Sequence, residues 1–514
     1  MVSTYLQHEL PYFVYVRKTE WLLNFLCMLK PKETLTDADV QKGLAMVIWD
    51  GLAAEVMTAF TGGAFLVSMA LLLGANNVQI GLLAALPMLT NLSQLLSIWL
   101  VRKYDNRRAV AVFCAYFART PLIIIGSLVW LLADVSVNVL IFFLLFYYFF
   151  GSIAGPSWNS WMKDMVPEHM LGNYFSKRSR YNQTLNVILS VLLAILLDYV
   201  KQRYPNYELY AYATFFIVAG TIGILGGYIL SRAPEPQSYL KNAPIFSLFK
   251  LPLQDMNFRR LLVFNSAWVF ALNIATPFFT VFMIKSLGLP LSYIILLTII
   301  SQLFSIFTLR IWGIFSDRYS NKSIIALSAP IYIACIIAWC FVGIYSHLYA
   351  NLALLVAIHI FTGISTAGIN LSLTNIGLKL APKGDAIVYL SVKNIVTSLF
   401  SSLGPLLGGV LADYFTHVQV LVTAQLNTPH LNKAFKLVSL HEWNFLFLIG
   451  AFLALLSLEF LGRIKEVGEV EKDVVKRIMR TSIKSNLREY FLIGNIITWH
   501  EQLIAILKRK TKKT

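Results

Sequence analysis

Twelve stretches of roughly 20 mostly apolar residues run along this chain, and a run of that length is what an α-helix needs to cross the hydrocarbon core of a bilayer. They fall at about 44–73, 78–101, 109–133, 137–162, 181–200 and 209–231, then, after a polar interval, at about 260–285, 291–315, 324–345, 350–376, 386–412 and 443–461. Inside lipid every backbone N–H and C=O must be satisfied within the span, so helices are the expected form. Of 514 residues, 57% are hydrophobic and 13% charged, against about 25% charged in an ordinary soluble domain. The mean hydropathy of +0.65 cannot come from one anchor helix. An all-α membrane protein of twelve spans is expected, with the lipid bilayer as its solvent.

A net charge of +17 would point to nucleic acid in a soluble protein, but membrane proteins gather basic residues in cytoplasmic loops. No nucleic-acid partner is therefore expected. Arg102, Lys103, Arg107 and Arg108 follow span 2; Lys163, Lys177, Arg178 and Arg180 follow span 4; Arg318 and Lys322 follow span 8. The turns Gly74–Val78, Asp134–Asn138 and Ser346–Tyr349 carry no Lys or Arg, and Lys201 and Arg203 after span 5 are the partial exception. This alternation places both termini in the cytoplasm, with the plasma (inner) membrane as the expected location. Segment 413–442 reads as a long, polar external loop. Leu10 to Leu29 reads as a helix lying on the membrane surface, and 489–507 as a segment resting at the interface. Cys27, Cys114, Cys335 and Cys340 are scattered and read as free thiols.

The six-plus-six order is matched by an internal repeat, a mark of transporter folds. Shifting the chain by 215 places Tyr104, Asn106 and Arg107 on Tyr319, Asn321 and Lys322, and Pro167, Tyr174 and Ser176 on Pro382, Tyr389 and Ser391. A shift of 214 places Leu73-Gly74 on Leu287-Gly288 and Ile80 on Ile294. Two six-helix halves related by a pseudo-twofold axis along the membrane normal are expected, enclosing a cavity that can open to either side. The expected bounds are a cytoplasmic N-terminal segment 1–43, a first half 44–231, a linker 232–259, a second half 260–462 and a basic tail 463–514.

The segment Gly313-Ile314-Phe315-Ser316-Asp317-Arg318-Tyr319-Ser320-Asn321-Lys322 resembles the cytoplasmic loop motif G-x-x-x-D-R-x-G-R/K-R/K of the major facilitator superfamily. The resemblance covers nearly the whole chain. It implies that fold, a cavity lined in part by span 1, and a gating role for Gly313, Asp317, Arg318 and Lys322, with the glycine allowing close helix approach. The first-half counterpart, Ile98 to Arg108, has Ile98 in place of the glycine and Arg102 in place of the aspartate. Gly404-Pro405-Leu406-Leu407-Gly408-Gly409 resembles the family's antiporter motif, but it lies in span 11, whereas the motif marks antiport in span 5. A close-packed, kinked helix is the expectation there.

Ionisable groups at membrane depth need a partner or a purpose. Glu55 in span 1 lies roughly 15–20 Å in from the cytoplasmic end at 1.5 Å per residue, and Arg119 in span 3 at about 16 Å. Their matched depth predicts that Glu55 and Arg119 face one another, either as a structural pair or with Arg119 tuning Glu55 as a proton site or a binder of cationic groups. Asp50 is shallower and turned about 140° from Glu55, which suits a gate or helix end. His359 in span 10 reads as a satisfied structural donor or a proton handler. Asn159, Asn265, Asn273 and Asn370 are candidate cavity amides.

A secondary active transporter moving a small organic solute by alternating access is the expected function, with proton coupling and a monomeric working unit. A lipid or lysolipid flippase and a non-transporting sensor are the alternatives. No Ser-His-Asp set, metal-ligand spacing or phosphate-cradling glycine loop occurs in the sequence, so neither an enzyme nor a cofactor is expected.

Overall fold

The computed structural model describes residues 31–132, 134–167, 171–237, 250–318, 320–344, 347–382, 386–428 and 431–466. Both expected interfacial segments, Leu10 to Leu29 and 489–507, lie outside them, as does Cys27. Cys114, Cys335 and Cys340 are free and buried.

Among the described residues, twelve helices are long and apolar enough to span a membrane: Asp37–Leu72, Asn77–Val101, Arg107–Leu131, Val137–Met165, Lys177–Arg203, Pro205–Ser231, Met256–Lys285, Leu291–Ser316, Asn321–Phe341, Leu348–Leu380, Val388–Phe415 and Trp443–Gly462. They are spans 1 to 12. Side chains such as Leu192, Ile195, Val410 and Phe452 stay more than half exposed, which is affordable only where the surroundings are themselves apolar. Span 1 breaks at Gly62 and Gly63; Gly63 has a φ of +55°, a left-handed turn that favours glycine.

Packing follows one pattern twice. In the first half spans 1 and 6, 3 and 6, 3 and 4, 1 and 5, and 2 and 4 pack together; in the second, 7 and 12, 9 and 12, 9 and 10, 7 and 11, and 8 and 10 do the same. The halves meet chiefly through spans 2 and 11 and through spans 5 and 8, a pair of contacts exchanged by the pseudo-twofold axis.

Segment 413–442, expected as a long, polar loop, contains regular structure. It carries an antiparallel β-hairpin, β1 (Gln419–Thr428) paired with β2 (Leu431–His441), from Gln419↔His441 to Thr428↔Leu431 with a register shift at Val422/Thr423. Val420, Val422 and Thr423 are β-branched and favour a strand, in a run too short to register as a span. The side of the molecule bearing it is called here the hairpin face, and the opposite side, where span 6 runs into 232–237, the linker face.

At the linker face each half secures its third span with a carboxylate that follows its sixth. Glu235 accepts the Arg107 and Arg108 N–H groups at 2.9 and 3.0 Å and the Arg107 Nε–H at 3.1 Å. Asp164 also pairs with Arg107. Glu466 accepts the Asn321 and Lys322 N–H groups at 3.2 and 2.9 Å, plus Ser320 Oγ, Asn321 Nδ2 and Lys379 Nζ. Anions suit helix N-termini because the first backbone N–H groups lack helical acceptors.

Candidate functional site: cavities between and within the halves

Three neighbouring cavities lie between the spans of the described residues. One of about 540 Å³ is walled by spans 1 to 6 and includes Asp50, Asn91, Gln94, Arg119, Tyr147, Trp158, Asn159 and Arg178. A second, of about 710 Å³, lies between spans 1 and 5 of one half and spans 8 and 10 of the other, and includes Glu55, Gln183, Asn186, Ser301, Gln302 and Thr366. A third, of about 420 Å³, shares Thr58 with the first and Asn186, Val187, Ile299 and Gln302 with the second.

Arg119 does not face Glu55. Its NH2 donates to Asp50 Oδ1 at 2.8 Å and its NH1 to the Gly223 carbonyl at 2.6 Å; Asp50 and Arg119 are 5% and 7% exposed. Three glycines of span 6 make the seat. A Cβ on Gly226 would lie 3.2 Å from Asp50 Oδ1, one on Gly227 3.0 Å from Arg119 NH1, and one on Gly223 3.2 Å from Arg119 Cγ and Cδ. Depth along the axis predicted the wrong carboxylate because a long arginine side chain reaches across a helical turn, and direction then decides. The 140° separation sends Asp50 toward spans 3 and 6 and Glu55 toward span 5. There Glu55 accepts Asn186 Nδ2 at 2.7 Å and lines the cavity between the halves.

The other candidates divide. Asn159 lines the first cavity. Asn265 donates to Thr397 Oγ1 at 2.7 Å, and Asn273 to Ser401 Oγ at 3.0 Å and the Val269 carbonyl at 2.7 Å, so both tie span 7 to span 11 rather than lining any of the three cavities. Asn370 is exposed on span 10 and touches none of them. His359 holds its Nδ1–H on the Leu355 carbonyl at 2.7 Å and packs edge-on to Trp339, the arrangement of a satisfied structural donor.

In the loop after span 8, Lys322 donates its Nζ to the Ile464 carbonyl at 2.9 Å. Gly313 corrects an expectation: a Cβ there would meet nothing within 4 Å, so no close helix approach depends on it in this conformation. Asp317 and Arg318 follow span 8 at the end of its helix, Leu291–Arg318, and their side chains lie outside the described residues. The glycines of span 11 do act as spacers. A Cβ on Gly404 would lie 2.8 Å from the Phe270 carbonyl oxygen, and one on Gly408 would collide with the Ile274 carbonyl oxygen, both on span 7. One on Gly409 would lie 2.7 Å from the Asn77 carbonyl oxygen of span 2.

Two groups that the sequence reading did not single out close the hairpin face. Asp198, at the end of span 5, accepts the Leu291 and Ser292 N–H groups at the start of span 8, at 2.9 and 3.0 Å. Asp413, at the end of span 11, accepts the Asn77 and Val78 N–H groups at the start of span 2, at 3.2 and 3.3 Å. The carboxylates are 215 residues apart and the helix starts 214. These are one latch built twice, and each latch joins one half to the other. Beside the second, Asn77 approaches Glu442 at 3.5 Å and Trp443 at 3.4 Å. Burial pushes the Glu442 carboxyl above its usual range, opposed by Asn77 and Lys285. The signal was present as Leu-x-Asp-Tyr at 196–199 and again at 411–414.

The fold and its paired halves define a polytopic α-helical membrane protein of transporter architecture. The family model of the Major Facilitator Superfamily matches residues 51–385 and again 261–507, and the chain belongs to that superfamily. No curated protein matches it at the level of sequence. Among solved structures it is similar to a D-xylose-proton symporter, with a TM-score of 0.60, 12% identity and 84% of this chain and 100% of that one covered. The nucleoside transporter NupG gives 0.58, 14%, 83% and 99%. A bacterial homologue of the human lysosomal transporter Spinster gives 0.57, 14%, 84% and 97%. At these identities the likeness is one of fold.

Proposed function

We propose that this protein is a secondary active transporter that moves a small organic solute across the plasma (inner) membrane as a monomer, by alternating access. The observation that carries this reading is the duplicated latch. Asp198 and Asp413 hold the two halves together at the hairpin face, through bonds that a rocking motion can break without unfolding either half. The cavities beneath are where a solute is held. The linker face is cytoplasmic and the hairpin face external, from the loop charges, and 232–259 is the linker between the moving halves. Glu55, held by one amide and paired with no cation among the described residues, is the proton-coupling carboxylate. The solute classes named for the similar structures, nucleosides and D-xylose, support a small polar organic molecule.

Spin labels test this. Ser136 precedes span 4 and Tyr349 lies in the first turn of span 10, at repeat-related places on the hairpin face; Lys163 and Leu378 lie near the ends of spans 4 and 10 at the linker face. Alternating access requires two populations, one with 136–349 short and 163–378 long, the other reversed. A single fixed distance at both faces, whatever the pH or solute, would refute transport. Cysteines at Lys103 and Val420 should be labelled by an impermeant reagent from opposite sides; labelling from the same side overturns the orientation.

A further inference from the structure

Within the cavity of the first half, one charge has no counterpart. Three ionised side chains line it, Asp50, Arg119 and Arg178, and the first two neutralise one another. Arg178 Nε is buried without a hydrogen-bond partner, and no carboxylate pairs with the guanidinium among the described residues. A cation left unpaired at the edge of a low-dielectric interior is costly, and such groups mark ligand pathways.

The guanidinium is also seated. It lies against Gly51 of span 1, where a Cβ would come within 2.8 Å of both Nε and NH2, so no other residue fits there without displacing it. Its carbon stands 4.8 Å from the centre of the Trp158 ring, a cation–π contact that holds it in place without neutralising it. The repeat-related position gives the contrast. Lys393, 215 residues on, is buried and donates its Nζ to the Leu373 carbonyl at 2.8 Å. The cation of the second half reaches a backbone acceptor, whereas Arg178 Nε in the first half has none.

We infer that Arg178 is the anion-recognition residue of this cavity and that the transported solute carries an oxyanion, a carboxylate or phosphate, which the guanidinium binds through paired N–H donors. Among the cavity's neutral polar groups, Asn91, Gln94 and Asn159 are amides suited to the rest of a polar solute, beside the rings of Tyr147 and Trp158. The inference rests on the transport reading for the word solute, but not for the site.

The test is therefore a binding measurement, with transport scored separately. Purified full-length protein is titrated with benzoate, succinate and glycerol 3-phosphate at constant ionic strength. The uncharged counterparts benzamide, succinamide and glycerol run in parallel, and the readout is the shift in apparent melting temperature. A fourth arm uses lysophosphatidylglycerol against lysophosphatidylcholine. At least one soluble anion should bind where its neutral counterpart does not. Arg178→Gln should weaken it by about 10- to 100-fold, the effect of losing a charge-assisted hydrogen-bonded pair. Arg178→Lys should retain part of it, and Asp134→Asn, on an exposed turn, all of it. Binding by lysophosphatidylglycerol alone would overturn the soluble source of the anion. No preference for any anion over its neutral partner, or equal binding by a folded Arg178→Gln protein, would overturn the site. Anion binding without uptake into proteoliposomes would leave the site standing and count against transport.

Discussion

Removing the charge from both latch carboxylates should open the hairpin face. In each latch a carboxylate accepts two backbone N–H groups at the start of a helix, at 2.9 and 3.0 Å for Asp198 and 3.2 and 3.3 Å for Asp413. Asparagine keeps one acceptor oxygen and loses the charge, which removes about 1–2 kcal/mol from the closed arrangement through the helix-terminus attraction and the stronger charged hydrogen bond. Each single change then shifts the ratio of closed to open by about 5–30-fold, more for Asp198 with its shorter bonds. The latches share no partner, so the double variant should add the effects, to about 2–4 kcal/mol. Spin labels at Ser136 and Tyr349 read this directly as growth of the long-distance population, with Asp134→Asn, on the same face, as the control. An unchanged distribution in the double variant would show that the latches do not hold the face shut, and the argument from them to alternating access would fail.

Glu55→Gln should abolish the pH dependence of exchange between conformations while leaving the protein folded. Asp50→Asn should instead destabilise it by about 3–5 kcal/mol, because Arg119 is left buried without its ion pair; detergent melting curves separate the two outcomes, and a Glu55→Gln protein with normal pH dependence would remove the proton role. Gly81→Leu should block closure of the hairpin face, since a side chain there collides with the Pro405 carbonyl oxygen, and a normal closed population in that variant would contradict the packing of span 2 on span 11. Burial by itself raises the Glu466 carboxyl, but its bonds from Asn321, Lys322, Lys379 and Ser320 outweigh burial and hold it below its usual value of 4.5. The unfolded chain therefore binds this proton more tightly, so the cap's contribution is complete above about pH 4.5 and is lost as pH falls through the lower folded value. The melting temperature should drop below about pH 4.5, less steeply in Glu466→Gln, and an identical acid limb in that variant would refute the assignment.

The spans were legible to within a few residues because hydrocarbon thickness imposes one length on all of them. The repeat was legible because loops and helix ends retain it. The partner of Arg119 was not, since axial depth leaves direction and side-chain reach open, and the seat that decides the matter is made by Gly223, Gly226 and Gly227 on a different helix. Asn265 and Asn273 read as cavity amides because composition does not reveal whether a polar residue faces space or the neighbouring span 11. The latches are hidden in the sequence for a simpler reason: Asp198 and Asp413 stand where a span is expected to end, and a charge at a helix end is ordinary until its repeat mate is set beside it.

The hairpin leaves the body of the protein a few residues after Asp413 and returns at Glu442, and both of its feet stand beside Asn77. It is thus a handle fixed to the gate itself, reachable from the aqueous side. A nanobody gripping β1 and resting against the turn at Gly74–Asn76 would clamp span 11 to span 2. Such a molecule would act as a brake, stopping the cycle without ever entering the solute path, and it would do so for any solute the cavity accepts.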